Sequence, residues 1–189
     1  MSKDNHGRWT GAGLDAVLPA LTGPDEATLR HVLGHYPTGV AVITASTPEG
    51  PAGIAMNSFT SVSMDPPLVL FCPAMSSTTW PQLRTAGRIA INVLSAGQES
   101  VSRLFASRSD DRFAEIAWTP GANGAPLLSV ALGWLECTVQ AEYPAGDHTV
   151  VIAEIDRMGV HAEISEPLVF FRGSYYEGMT QAVEADEAS

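Results

Sequence analysis

The stretch AMNSFTSVSMDPP, residues 55–67, predicts a β-strand that ends at two consecutive prolines. A strand that only builds a core alternates apolar and polar residues. In this one, Ser58 and Thr60 would face one side and Ser61 the other, so hydroxyl groups would line both faces. Hydroxyls and backbone amides on a rigid strand suit a flat, neutral ligand with polar edges. The alternative is a solvated edge strand that is rich in Ser and Thr.

The rest of the chain favours strands over helices. Turn-forming Gly, Pro, Asn and Asp separate the β-patterned segments, and the predicted strands are residues 39–46, 52–63, 67–73, 88–94, 130–143, 147–158 and 168–172. One predicted helix starts at residues 22–26 and ends near Gly34, a second runs from Ser77 to Thr85, and a third follows a capping box at Ser95–Gln98. Because no βαβ alternation recurs, we predict a mainly β fold, an antiparallel barrel with a few peripheral short helices.

The length of 189 residues is sufficient for one domain with its own core. We expect a flexible leader over residues 1–21, the domain over residues 22–178 and an acidic tail over residues 179–189. No apolar run is long enough to cross a bilayer, and no secretory signal is visible. A cytoplasmic location is therefore expected.

The charge balance argues against two classes of partner. The net charge is −11, with 21 acidic and 10 basic residues, so neither nucleic acid nor an anionic membrane surface is an expected partner. Cys72 and Cys137 lie in apolar, strand-like segments without disulfide or metal spacing and are predicted to be buried thiols. His31 and His35 would share one polar helix face, but a lone pair is a poor metal site, so no metal is expected.

Three polar segments are candidates for binding. Ser76, Ser77 and Thr78 precede a short predicted helix, which suits either an anion site or simple N-capping. His148 lies in a turn that leads into a strand, where a surface histidine is the alternative. Arg172 is flanked by aromatic residues and suits either a ligand pocket or a cation–π contact. No GxSxG, Walker, HExxH or Rossmann motif is present, so a nucleotide would have to be bound in another way.

Several segments occur in the order typical of one known family. They are Tyr36–Thr44, Asn57–Leu70, Ser76–Thr78, Ala90–Leu94, Arg112–Phe113, Gly146–Thr149 and Phe171–Tyr176. Together they resemble the flavin reductase family, the small reductase components of two-component flavin monooxygenases, over residues 26–176.

This resemblance implies a fold and an activity. The fold would be the FMN-binding split barrel, a Greek-key antiparallel barrel, assembled as a homodimer whose subunits complete each other's pockets. The activity would be that of an NAD(P)H:flavin oxidoreductase, in which NADH or NADPH reduces noncovalently bound FMN or FAD and the reduced flavin is supplied to a partner monooxygenase. The residues leave open which flavin and which nicotinamide are used.

The resemblance also implies roles for individual residues of the site. His148 would be the catalytic-site residue that positions the nicotinamide over the flavin. The residues carried over to flavin binding are Thr38, Asn57, Ser58, Phe59, Thr60, Ser61, Ser63, Ser76, Ser77, Thr78, Arg112, Phe113, Arg172 and Tyr175. Met75 departs from the pattern, because many relatives have a basic residue there. The phosphate charge would then depend on the helix dipole and on an arginine from elsewhere, with Arg84, Arg88 and Arg112 as candidates.

Three other functions are open at this point. A pyridoxamine-phosphate oxidase-like enzyme would share the barrel but would need more basic residues near Ser76. A non-enzymatic flavin-binding module would keep the polar strand over residues 57–63 and would not respond to mutation of His148. A structural or interaction barrel would bind no flavin.

Overall fold

The computed structural model describes residue 21 and residues 23–109, 111–129, 131–164 and 166–177, with the backbone alone of residues 2–3 and 9–10. The chain divides into two compact units, Met1–Leu33 and Gly34–Ser189. The predicted tail and most of the predicted leader lie outside the described residues. No helix in the described ranges is long and apolar enough to span a membrane.

The first unit contains a short antiparallel pair, β1 (Ser2–Lys3) with β2 (Trp9–Thr10), and helix α1 (Glu26–Leu33). The Asp25 carboxylate precedes the helix and accepts the Thr28 hydroxyl at 2.6 Å and the Thr28 N–H at 2.9 Å. These hydrogen bonds lower the pKa of Asp25. A side-chain acceptor for an otherwise unpaired N–H is the usual signal for a helix start, so the first predicted helix is confirmed.

The predicted His31/His35 pair on one helix face is wrong. Helix α1 ends at Leu33, so His35 lies beyond it, in the second unit. There its ring packs edge-on against Phe171 with the ring centroids 6.2 Å apart. Among the described residues, no group of three or more His, Cys, Asp or Glu side chains is arranged to hold a metal ion.

The described part of the second unit is built mainly from strands. These are β3 (Thr38–Gly39), β4 (Ala41–Thr47), β5 (Gly50–Met56), β6 (Thr60–Met64), β7 (Pro67–Phe71), β8 (Arg88–Val93), β9 (Trp118–Pro120), β10 (Pro126–Leu128), β11 (Gly133–Ala145), β12 (His148–Val160), β13 (Leu168–Phe171) and β14 (Ser174–Glu177). Its helices are α2 (Trp80–Ala86) and α3 (Glu99–Ala106). Seven strands form one antiparallel sheet in the order β5-β4-β8-β11-β12-β7-β6; β14-β13-β3 and β10-β9 form smaller sheets.

Only three residues join the first and last strands of the large sheet. Strand β5 ends at Met56 and β6 begins at Thr60, so Asn57–Phe59 must connect the two edges. Six inter-strand spacings would separate these edges by about 29 Å in a flat sheet. Four residue steps span at most about 14 Å. The sheet therefore curls into a barrel that stays open between β5 and β6, as the predicted split barrel requires.

Two hydrophobic clusters lie on the two faces of β4. Ile43 belongs to the first cluster, in which Trp80 of α2 packs edge-on against Phe71 with the ring centroids 5.2 Å apart. Val42 belongs to the second cluster, together with Phe105 of α3. The first five residues of β4 are buried on both faces, and four of them are apolar, so this part of the strand does not alternate between apolar and polar residues.

The prediction of one strand over residues 52–63 is wrong. The chain forms β5 and β6, which pair with β4 and β7 at opposite edges of the sheet. The predicted alternation of Ser58 with Ser61 also fails, because Ser58 lies in the connection between the strands. A register shift between Ser61 and Ser63 interrupts the alternation within β6.

Other strands and helices differ from their predicted bounds for local reasons. Strands β9, β10 and β14 were not predicted, because they are only three or four residues long and gain their order from pairing. Helix α2 starts later than predicted, at Trp80, and α3 starts at Glu99, directly after the predicted capping box. Half of the predicted capping box forms: Gln98 Oε1 accepts the N–H of Ser95 at 2.8 Å, while the Ser95 hydroxyl donates to the same oxygen at 3.1 Å.

Asn92 attaches β10 to the wall of the barrel. Its side chain is fully buried, and Nδ2 donates to the Val42 carbonyl and to Thr44 Oγ1, each at 3.1 Å. Its Oδ1 accepts the N–H of Leu128 at 2.8 Å. One amide therefore satisfies backbone groups of two separate strands.

We expect Asn92→Ala to lower the free energy of unfolding by about 3 kcal/mol, because the Leu128 N–H would be left buried without an acceptor. Urea denaturation measures this change. Thr85→Ala is the control, since its exposed hydroxyl donates to the Gln82 carbonyl of the same helix, and it should change stability by less than about 0.5 kcal/mol. Equal effects of the two substitutions would contradict a structural role for Asn92.

Candidate active site

The β5–β6 connection, the loop after β7 and the turn before β12 meet at the open side of the barrel. Ser58 Oγ accepts the N–H of Cys72 at 2.9 Å. The Pro73 carbonyl accepts the N–H of Thr149 at 2.9 Å, and the Asp147 carbonyl accepts the N–H of Met75 at 2.8 Å. We call these segments, residues 57–58, 72–75 and 147–149, the open rim.

His148 is held within this rim by its backbone and by its neighbour. An isolated bridge pairs it with Ala74, and its Nδ1 lies 2.7 Å from Oδ1 of Asp147. The side chain of His148 is 45% exposed and that of Asp147 is 94% exposed. A carboxylate acceptor at Nδ1 leaves Nε2 as the imidazole nitrogen available to a ligand.

The Ser76–Thr78 segment leads from the rim to helix α2. Ser77 Oγ accepts the N–H of Trp80 at 3.1 Å, so this hydroxyl satisfies the first N–H of α2 although the N-cap position itself is Thr79. Ser76 and Thr78 are exposed. Their hydroxyls remain accessible at the end of the rim.

Arg112 is the arginine of the three candidates that reaches this segment. Its Nη1 donates to Thr79 Oγ1 at 3.0 Å and to the Gly53 carbonyl at 2.7 Å, and its Nη2 donates to the Ser107 carbonyl at 2.5 Å. These bonds fix the guanidinium group beside the start of α2.

Arg84 and Arg88 lie elsewhere. Arg84 is exposed and its Nη1 lies 3.9 Å from Glu142 Oε2. Arg88 lines a separate cavity that also contains Glu136 and Arg157. Of the three arginines, Arg112 is thus placed to assist an anion near Thr78.

A cavity of about 430 Å³ opens next to Thr78. We call it the larger cavity, in contrast to the smaller one beside Asn57; a further cavity of about 500 Å³ lies between Arg84 and Thr149. The larger cavity is enclosed by the start of β5, by the start of α2 and by the segment after α3, and the residues that line it include Glu49, Gly53, Thr78, Gln82, Arg108, Arg112 and Phe113. Three residues predicted from sequence, Thr78, Arg112 and Phe113, therefore share one cavity.

A second, smaller cavity of about 180 Å³ brings together Asn57 and Tyr175. The hydroxyl of Tyr175 lies 2.9 Å from Ser102 Oγ, and the Arg103 guanidinium carbon lies 5.0 Å from the Tyr175 ring centroid. Phe170 also lines this cavity. Asn57 connects the smaller cavity to the open rim, because it is adjacent to Ser58.

The other predicted residues lie outside these two cavities. Phe59 packs against the first hydrophobic cluster. Thr60 and Ser61 are exposed on the edge strand β6, and Ser63 is half-buried there. Arg172 was placed in the final strand, but it lies in the exposed turn between β13 and β14, with φ 51° and its N–H bonded to the Gly34 carbonyl.

Sequence reasoning missed several residues of the site. Cys72, Thr79 and Arg108 lie outside the quoted motifs, whereas Asp147 lies in the Gly146–Thr149 motif but was given no role. Contacts between separate segments bring Asp147 and Cys72 to the rim. The Asp-His dipeptide at residues 147–148 was the available signal for Asp147, since adjacent carboxylate and imidazole groups commonly pair.

Comparison with known proteins identifies the family. Residues 33–179 match the family model described as the flavin reductase like domain. The chain belongs to the flavin reductase family. The predicted recognition is confirmed, and so is the mainly antiparallel split-barrel fold.

Individual relatives of this flavin reductase family member cover most of its length. It is 41% identical to the flavin-dependent monooxygenase reductase subunit HsaB of Mycobacterium tuberculosis, over 80% of this chain and 81% of that protein. It is 42% identical to the FMN reductase (NADH) SmoA of Agrobacterium fabrum, over 81% and 86% of the two chains. The solved structure of the Streptomyces globisporus NADH:FAD oxidoreductase SgcE6 with NAD and FAD fragments superposes with a TM-score of 0.78, at 35% identity, over 90% and 100%.

A buried hydroxyl in the flavin reductase domain supports the fit of a flavin to these residues. Thr38 Oγ1 is buried and makes no hydrogen bond within the described residues. Thr38 pairs with Phe170, which lines the smaller cavity. A buried hydroxyl without a partner is costly, so a ligand with a polar edge is favoured beside it.

The two cysteines of the flavin reductase domain differ in accessibility. Cys72 is half-buried at the rim, whereas Cys137 is fully buried, and both are free thiols. Burial raises the pKa of Cys72 and raises that of Cys137 to about 12. The prediction of a buried thiol is therefore confirmed for Cys137, and Cys72 retains partial exposure.

We expect a thiol reagent at pH 8 to modify Cys72 alone in the folded protein, because Cys137 stays protonated and inaccessible. Counting modified thiols by mass spectrometry before and after denaturation measures this. In the Cys72→Ser control, modification should occur only after unfolding. Labelling of Cys137 in the folded control would contradict the assigned burial.

Proposed function

We propose that this protein is an NAD(P)H-dependent flavin reductase that transfers hydride to FMN or FAD and supplies the reduced flavin to a partner monooxygenase. The observation that carries the proposal is the open rim, where the Ser58 hydroxyl and the backbone on both sides of His148 hydrogen-bond to the loop after β7. The relatives add support, since they are reductase subunits and NADH-dependent reductases of FMN or FAD.

The chain offers separate sets of residues for the ring system and for the phosphate of a flavin. The segment Asn57–Ser63 supplies hydroxyls and backbone amides for the ring system, with Phe59 contributing through its backbone because its side chain is in the core. Ser76 and Thr78 supply hydroxyls for the phosphate, and Arg112 supplies the positive charge that Met75 does not. Thr38 and Tyr175 lie at the smaller cavity or beside it.

His148 positions the nicotinamide in this proposal. A bound flavin supplies a ring that accepts a hydride, so the protein has to hold two flat rings at contact distance and exclude water from between them. Asp147 accepts at Nδ1 of His148, which leaves Nε2 to hydrogen-bond the carboxamide of the nicotinamide. No proton transfer by His148 is required for the hydride step.

The direct test is oxidation of NADH and NADPH by the purified protein, followed by nicotinamide absorbance, with and without added FMN or FAD. We expect turnover that depends on added flavin. Flavin binding without nicotinamide oxidation would instead favour the non-enzymatic flavin-binding module. Absence of both would favour an interaction barrel.

We expect His148→Ala to raise the KM for NADH about tenfold, with a smaller change in the KM for flavin, because one hydrogen bond to the nicotinamide is lost. Steady-state kinetics with each substrate varied measures this split. His31→Ala, on the exposed helix α1, is the matched histidine control and should leave both KM values unchanged. An unchanged KM for NADH in His148→Ala would remove His148 from the site.

A homodimer is part of the proposal. Met64 on β6 is 91% exposed, and Met158 and Val160 on β12 are 78% and 82% exposed. A second copy of the chain would cover these apolar side chains and add residues to the open side of the barrel.

We expect light scattering coupled to gel filtration to give twice the chain mass of 20.0 kDa. Met158→Glu should raise the dimer dissociation constant at least about tenfold, because it places a charge in an apolar interface. Thr119→Glu, an exposed substitution on strand β9, is the charge-matched control. A monomer at all concentrations would contradict the dimer.

A further inference from the structure

The larger cavity extends beyond the residues assigned to the flavin phosphate. Thr78 belongs both to the Ser76–Thr78 segment and to the lining of this cavity. A ligand phosphate at Thr78 would therefore stand at its entrance. The volume of about 430 Å³ lies within the range typical of small-molecule sites.

The wall formed by β5 is built from small residues. Gly50, Pro51, Ala52 and Gly53 line this side of the cavity. Gly53 has no room for a side chain, because an added Cβ would lie 2.7 Å from Cε1 of Phe105. The packing of α3 against β5 therefore requires glycine at this position of the wall.

The polar lining suits a nucleotide more than an apolar ligand. Arg112 is fixed by three hydrogen bonds, and Arg108 lines the same cavity from an exposed position. The Glu49 carboxylate and the Gln82 amide are acceptors for ribose hydroxyls or for an exocyclic amino group. Two guanidinium groups in a chain of net charge −11 mark a local preference for an anion.

We infer that the larger cavity binds the adenylate half of a dinucleotide. This inference rests on the proposed function and deepens it. FMN ends at the phosphate beside Thr78, whereas FAD continues from that point through a second phosphate to adenosine, the group whose chemistry the lining matches. NADH carries the same adenylate group, so FAD and NADH are the two possible sources.

The test compares ligands with and without adenylate. Dissociation constants for FAD and FMN are measured by fluorescence quenching, and KM values are measured for NADH and reduced nicotinamide mononucleotide. Binding of ADP alone is measured by calorimetry. We expect the wild-type protein to bind ADP and to prefer the adenylate-containing member of one pair by about tenfold.

Two variants address the cavity by different means. Arg108→Ala removes a charge, and Gln82→Trp fills space from an exposed helix position. Each should weaken ADP binding and bring the preferred ratio close to one. Arg157→Ala, in the separate cavity with Glu136, is the arginine control and should leave the ratio unchanged.

The outcomes distinguish FAD from NADH as the source of the adenylate group, and they distinguish failure of the adenylate site from failure of the proposed function. If the two variants lose the preference for FAD over FMN, the cavity binds the adenylate group of FAD. If they lose the preference for NADH over reduced nicotinamide mononucleotide, it binds the adenylate group of NADH. FMN binding and turnover with no preference in either pair, and no ADP binding, would overturn the adenylate site alone. Failure of the wild-type protein to bind any flavin would count against the proposed function itself.

Discussion

Three residues, Asn57–Phe59, have to join opposite edges of a seven-stranded sheet, and the rest of the structure follows from that short connection. Because the connection is shorter than the width of a flat sheet, the sheet must curl while its first and last strands remain unpaired. The opening of the barrel therefore lies next to the connection. Within the connection, the Ser58 hydroxyl accepts a hydrogen bond from the loop that follows β7. The turn that carries His148 hydrogen-bonds to the same loop.

This arrangement explains why the polar residues of the open rim lie at the ends of strands and outside the two apolar clusters. The faces of β4 are both occupied by core side chains, so ligand groups have to be placed where strands end or change direction. The open rim and both cavities are such places. Arg112, a residue distant in sequence, places a positive charge beside Thr79, and in the proposed function this charge compensates for the methionine at position 75.

Much of the fold and part of the site could be predicted from the sequence. The turn residues marked most of the long strands, and the ordered motifs identified the family. The break at Asn57–Phe59 could not be predicted, because a continuous β-pattern contains no signal for a change of edge. The bonds of Arg112 to Gly53 and Thr79, and the backbone pairing of His148 with Ala74, join segments that are distant in sequence, which a local pattern does not encode. The role of Phe59 was likewise decided by the core, since its side chain packs against the first cluster.

The most direct test of the account is a crystal structure of the protein with bound FAD. The account predicts that the flavin ring lies along Asn57–Ser63, within contact distance of the open rim, with a phosphate beside Thr78 and Arg112. A flavin ring bound away from Asn57–Ser63, or a phosphate without contact to Thr78 or Arg112, would contradict it.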